Sequence, residues 1–265
     1  MLPRIISGQI VATTALAEGE ISYSPGQIKL RAVPYDDRYI LNGTKYFVPD
    51  AHLADLLICL ARTGPSETEL TAFLVDTKNA GLECSLLKTL SGTKYCKVAL
   101  NNVKVPDSNI LGEVGKSWPN FEKMLQMATI ATCAESVGCA QRALDLTVEY
   151  AKARKQFGQH IGSFQVIQHY CVDMLSDVET MRLAVYQAAC MLKDNVDCQK
   201  EVAATKAWVS ERFRHAALLG LKIHGGTGYM EDHDISVLYR KALEAYSAYG
   251  NPDFHKETVA KALGI

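Results

Sequence analysis

The sequence predicts an α+β fold, with a small antiparallel β-barrel or sandwich over residues 1–112 followed by an antiparallel four-helix bundle over 113–265. Two observations predict it. Before about residue 113 the chain is a series of short segments rich in Val, Ile, Leu and Tyr, broken by Gly, Pro, Asn and Asp, as strands and tight turns require. After it, Pro and Gly are scarce inside long runs of Ala, Leu, Met, Lys, Glu and Gln, the composition of helices.

The predicted strands are QIKLRAV (27–33), RYILNGTKYFV (38–48), DLLICLAR (55–62), ELTAFLVD (69–76) and KVALNNVKV (97–105). Asn42-Gly43 reads as a hairpin, because a type I′ turn needs two residues that tolerate positive φ. Several short strands joined by tight turns suggest a small barrel or sandwich. The predicted helices run from about Ser117 to Arg154, Phe164 to Leu192, Lys200 to Ile223 and Asp234 to Tyr249. Gly158 and Gly162, the polar DNVDCQK stretch and HGGTG separate them, so neighbours should run antiparallel.

At 265 residues and 48% hydrophobic, the chain can bury a large core without staples. Its 28 basic and 29 acidic side chains leave a net charge of -1, which offers no field to nucleic acid or an anionic membrane. It contains neither a signal-type apolar region behind basic residues nor a run of about 20 uncharged apolar residues, so a soluble cytoplasmic protein is expected. The cysteines (59, 84, 96, 133, 139, 171, 190 and 198) show no C-x-x-C and no zinc-type spacing. They read as reduced, mostly buried thiols, and no metal is expected.

Two stretches carry chemistry. In RKQFGQHIGSFQVIQH (154–169), Arg154 supplies a planar, permanently charged fork that can bond two phosphate oxygens at once. Gln156 and Phe157 lie beside it, and an aromatic there can pack on a ring system. The same residues also read as a helix C-terminus, with a basic group offsetting the macrodipole and Phe157 filling the core. In KIHGGTGYMEDHDISVLYRKA (222–242), Gly225, Gly226 and Gly228 carry no Cβ and let a diphosphate or adenosine approach the backbone closely. Alone, G-G-x-G usually just ends a helix.

Together, and in this order, the two stretches resemble the helix-turn-helix R-x-x-F-G-x-x-I-x-x-F-Q-x-x-Q and the Q-x-x-G-G-x-G-Y segment of the acyl-CoA dehydrogenase family. LNGTKYFVPDAHLADLLICLAR (41–62) and ATTALAEGE (12–20) are similar to that family's β segments around the flavin. The resemblance covers nearly the whole chain, and it implies that the family's N-terminal helical domain is absent. It further implies FAD as cofactor. Contacts would come from Arg154, Gln156, Phe157, Lys222, Ile223, His224, Gly225 and Gly226, with Leu16, Ala17, Phe47 and Val48 flanking the isoalloxazine. Lys222 replaces the family's glutamine, Pro49 replaces a hydroxyl residue and donates no N–H, and the loop GEISYSPG (19–26) is altered.

The implied reaction is FAD-dependent α,β-dehydrogenation of an acyl-CoA thioester, which needs a carboxylate base and a polarised carbonyl. The implied partners are an electron-transfer flavoprotein and further subunits, as a homo- or hetero-oligomeric dimer of dimers. The family's two usual base positions hold Tyr249 and Ala128 here. Two carboxylates remain. Glu135 lies in the apolar run ATCAESVGCA, where burial would raise its pKa, and it serves either as base or as a structural acid paired with Arg or Lys across the bundle. Glu244 is the runner-up, expected to face solvent. A non-catalytic or partner subunit of a hetero-oligomer, or a truncated inactive fragment, is the alternative.

Overall fold

The computed structural model describes residues 1–19, 23–194 and 196–265. In chain order the elements are α1 (Leu2–Ile6), β1 (Ala12–Ala15), β2 (Arg31–Tyr35), β3 (Arg38–Pro49), β4 (Leu56–Arg62), β5 (Leu70–Asp76), β6 (Leu82–Leu87), β7 (Tyr95–Pro106) and β8 (Ile110–Leu111). They continue with α2 (Trp118–Ala153), the two-residue strands β9 (Lys155–Gln156) and β10 (Gln159–His160), α3 (Gln165–Lys193), α4 (Gln199–His224), α5 (Asp234–Ser247) and α6 (Pro252–Leu263). Two compact units result, Met1–Lys123 and Met124–Ile265. The mixed α+β class is as the sequence predicts. In the altered loop at 19–26, Glu20, Ile21 and Ser22 lie outside the described residues.

Of the small antiparallel β-barrel or sandwich expected, the β unit does not form the closed barrel, and its pairing is not antiparallel throughout. Its sheet is open, in the order β6-β7-β3-β2-β4-β5-β8, with β1 also paired to β4. The β1–β4 and β2–β4 pairings are parallel. The hairpin expected at Asn42-Gly43 is absent. Those residues lie inside the twelve-residue strand β3, where the register against β7 slips between Leu41 and Gly43. There the Asn42 side chain accepts a hydrogen bond from the Asn102 backbone N–H at 2.8 Å, and Asn102 itself has φ 54. A β-bulge uses the same positive-φ chemistry as a turn, and only pairing across the sheet separates the two. The β2–β3 turn is instead at Asp36-Asp37. The sheet's core is formed by Leu41, Leu57, Cys59, Phe73, Val98 and Leu100.

In the helical unit, α2 to α5 fall close to their predicted spans. A fifth helix, α6, corrects the four-helix count. Its start is the cap signature Asn251-Pro252: the Asn251 side chain accepts from the Phe254 N–H at 2.9 Å and Pro252 occupies the first turn. Helix α4 is central, with Val209, Phe213, Ala216 and Ala217 in one core with α2, α3 and α5. Gly220 lets α5 close on it, because a Cβ there would lie 2.7 Å from Ile235 and 2.9 Å from Thr147. Among the described residues no helix is long and apolar enough to cross a membrane. All eight cysteines are free. Four are buried (59, 96, 133 and 198), but Cys84 and Cys190 are exposed, so fewer thiols are inside than expected.

Candidate functional site

In the β unit, the segment after β1 is fixed to β3 by its backbone. The Ala17 carbonyl accepts from the Tyr46 N–H at 2.8 Å, and the Leu16 carbonyl accepts from the buried Lys45 ammonium at 3.1 Å. Lys45 also meets the Glu18 carboxylate at 2.8 Å, while Glu18 accepts from the Lys29 and Leu30 N–H groups. The buried charge is thereby paired and hydrogen-bonded. Leu16, Ala17 and Val48 are buried. Phe47 differs: the β3 register slips again between Lys45 and Val48, Phe47 takes φ 53, and its ring stays 41% exposed. A bulky side chain with positive φ is an outlier that its surroundings must enforce. The segment that carries Leu16 and Ala17 thus lies against the strand that carries Phe47 and Val48, with Phe47 exposed and the other three buried. Pro49, which cannot donate, accepts from the Thr13 hydroxyl through its carbonyl at 2.7 Å.

In the helical unit, α2 ends in a hairpin. Gln156 pairs with Gln159 and Lys155 with His160, leaving Phe157-Gly158 as a two-residue turn with φ 54 and 80. Both positive values are those of a type I′ turn, which usually takes Asn or Gly at the first place. Phe157 does not fill a core, because it is 92% exposed; its ring stands edge-on to Phe164 with centroids 6.2 Å apart. Arg154 is exposed too, and its guanidinium has no hydrogen-bond or ion-pair partner among the described residues. An exposed aromatic and an unpaired guanidinium on one rigid turn have no internal role.

The glycine segment lies at the same end of this unit. Ala151, Ile161 and Ile223 form one cluster, and Tyr150 stacks on His224 with ring centroids 4.4 Å apart. Helix α4 stops at His224, where Gly225 takes φ 62. Gly226 has neither positive φ nor any neighbour within 4 Å of a built Cβ, so nothing in the chain itself asks for glycine there. Gly228 is structural, since its Cβ would lie 2.9 Å from the His224 side chain. The His224 imidazole is not at the surface. It is buried, Nδ1 donates to the Gly220 carbonyl at 2.8 Å, and burial pulls its pKa below the ordinary value. Lys222 and Gly226 are exposed. The features thus fit a bound dinucleotide: a cation for phosphate, an aromatic for a ring, and a glycine that leaves room.

Residues 115–264 match the acyl-CoA dehydrogenase C-terminal domain, and residues 13–103 match the acyl-CoA dehydrogenase middle domain. The chain belongs to the acyl-CoA dehydrogenase family. It is 34% identical over 244 residues to the CarC subunit of the caffeyl-CoA reductase-Etf complex of Acetobacterium woodii, covering 90% of this chain and 64% of that one. It is 35% identical to the 3-(aryl)acrylate reductase of Clostridium sporogenes, covering 99% and 71%. The butyryl-CoA dehydrogenase structure from Megasphaera elsdenii superposes with a TM-score of 0.92 at 28% identity, covering 100% and 71%. The chain thus spans about two thirds of the length of these relatives.

Within this acyl-CoA dehydrogenase framework the two substitute carboxylates reverse their expected environments. Glu135 is not buried: its side chain is 58% exposed and meets the Lys241 ammonium at 3.3 Å. Glu244, expected in solvent, is 15% exposed and lies 4.0 Å from the same ammonium. Burial draws the Lys241 pKa down, but Glu244 and then Glu135 more than offset it and raise it overall. Both acids therefore flank one cation. Sequence reasoning missed that Tyr249, in the family's usual base position, is half-buried with φ 54.

Proposed function

We propose that this chain is the FAD-binding part of an acyl-CoA dehydrogenase-like oxidoreductase that interconverts a saturated acyl-CoA thioester and its α,β-unsaturated form. The observation that carries the reading is the Phe157 turn: an exposed aromatic and a guanidinium that has no partner among the described residues, in the same unit as Gly226, where no contact of the chain requires a glycine. Arg154 would hold the pyrophosphate, Phe157 would pack on a cofactor ring, and the backbone at Gly225 and Gly226 would admit the adenosine end. Leu16, Ala17, Phe47 and Val48 would form an apolar wall for the flavin. When bound, FAD would accept the hydride that leaves the β-carbon. Electron-transfer flavoprotein as redox partner, and a dimer of dimers in which the helical motifs serve a neighbouring chain's flavin, complete the proposal.

Two carboxylates stand for the proton-abstracting role. Glu244 is the better shielded and the stronger candidate, and either acid would act only once Lys241 had moved away from it. The arrangement also favours a second reading, a flavin-binding subunit without dehydrogenase activity. Anaerobic addition of a series of acyl-CoAs to the flavin-loaded chain separates the two. Bleaching of the flavin absorbance that Glu244→Gln or Glu135→Gln abolishes supports the enzyme. Retained flavin with no bleaching by any thioester supports the subunit.

A further inference from the structure

Among the described residues, six other than glycine have positive φ: Asp36, Phe47, Asp50, Asn102, Phe157 and Tyr249. Asp and Asn tolerate this conformation through short polar side chains, but an aromatic does not. Two of the three aromatics, Phe47 and Phe157, stand at the candidate flavin contacts. The third, Tyr249, sits in the turn between α5 and α6, and it is held there with unusual thoroughness. Strain of this kind persists only where neighbours over-determine it, and it concentrates at functional positions.

The hold comes from two buried side chains on separate helices. From α4, the Lys206 ammonium donates to the Ser210 hydroxyl at 2.9 Å and to the Ala245 carbonyl in the last turn of α5. No carboxylate bonds to Lys206 among the described residues, and its negative partner is the carbonyl end of α5 itself. From α6, His255 donates through Nε2 to the Tyr249 carbonyl at 2.9 Å. Gly250 completes the turn at φ 100, and a Cβ there would lie 2.6 Å from Phe254 and 2.8 Å from His255 Nε2. A buried ammonium that no carboxylate neutralises is costly, so its retention needs a reason beyond packing.

We propose that Lys206 and His255 are positioning residues that clamp the α5–α6 turn in its left-handed geometry and so fix the place at which the Tyr249 phenol is presented. Burial raises the Tyr249 pKa, so the phenol keeps its proton, and on the acyl-CoA reading it would donate to a thioester carbonyl oxygen when substrate binds. Only this last step rests on the acyl-CoA reading; the clamp does not. The groups facing Lys206 are the Cys133 thiol from α2, pushed up to about 12 by burial, and the His255 imidazole from α6, lowered to about 4 by burial. Burial also lowers Lys206 itself to about 8, so the clamp weakens as pH rises through that value.

Nuclear magnetic resonance of the whole chain with ring-labelled tyrosine tests the clamp, with Tyr249→Phe assigning the Tyr249 signal. The expected result is a Tyr249 shift that steps near pH 8, a step lost in Lys206→Met, and a displaced signal at neutral pH in His255→Leu, which has no donor for the Tyr249 carbonyl, while the other tyrosines stay in place. A Tyr249 signal unchanged in both variants overturns the clamp. If Lys206→Met does not fold, His255→Leu and the wild-type pH step decide alone. In flavin bleaching, Tyr249→Phe should slow reduction at least ~10-fold at unchanged KM, the pattern of a contact made mainly in the transition state. An unchanged rate overturns the donor role and leaves the clamp to the resonance result.

Discussion

His255 links the α5–α6 turn to stability through pH. Its ordinary pKa of 6.5 falls to about 4 in the folded chain, mainly because burial disfavours the imidazolium. Between those values the unfolded chain binds a proton that the folded chain refuses, so stability drops as pH falls from 6.5 to 4 and is fully present above 6.5. At about 1.4 kcal/mol for each pH unit, the group accounts for about 3 kcal/mol across that window. The perturbation is His255→Gln, which keeps an amide donor for the Tyr249 carbonyl and removes the titration. The assay is urea unfolding followed by circular dichroism at pH 7, 5.5 and 4. Wild type should lose about 3 kcal/mol more than the variant between pH 7 and pH 4. Parallel losses in the two proteins would refute the assignment of His255 as buried and neutral.

Three further outcomes follow from the site geometry. Phe157→Ala should leave the urea midpoint unchanged, within about 0.5 kcal/mol, because the ring is 92% exposed, yet weaken FAD binding at least ~10-fold by isothermal titration. Gly226→Ala should likewise spare stability and reduce FAD affinity, whereas Gly228→Ala should lower the melting temperature, since its Cβ would meet His224. Phe47→Gly should relieve the strain at φ 53, recovering about 1 kcal/mol against the loss of ring packing, and should weaken flavin retention measured by gel filtration.

What the sequence disclosed follows from what is local. The spans of α2 to α5 were legible because each is a long uninterrupted run with glycines or polar residues at its ends. Helix α6 was missed although Asn251-Pro252 carries its cap, because the run behind it is short and polar. Asn42-Gly43 misled because a bulge and a hairpin demand the same backbone freedom. Glu135 misled for a helical reason. Its sequence neighbours are apolar, but the core-facing residues are Cys133, Val137, Ala140 and Leu144, and Glu135 points nearly opposite. In the site, Arg154, Phe157 and the glycines were legible as a motif. The left-handed aromatics at 47, 157 and 249 were not, because nothing in a lone Phe or Tyr announces its φ.

The account stands most directly on whether the exposed end of the helical unit holds a dinucleotide. The decisive measurement is the visible spectrum of the purified chain after loading with FAD and removal of free cofactor, compared with Arg154→Met. The account predicts about one flavin per chain in the wild type, as the cofactor reading requires, and near-complete loss in the variant, with the two cofactor-free chains melting at the same temperature. A colourless wild type that FAD does not stabilise against heat, or an Arg154→Met variant that keeps its full complement, would contradict it.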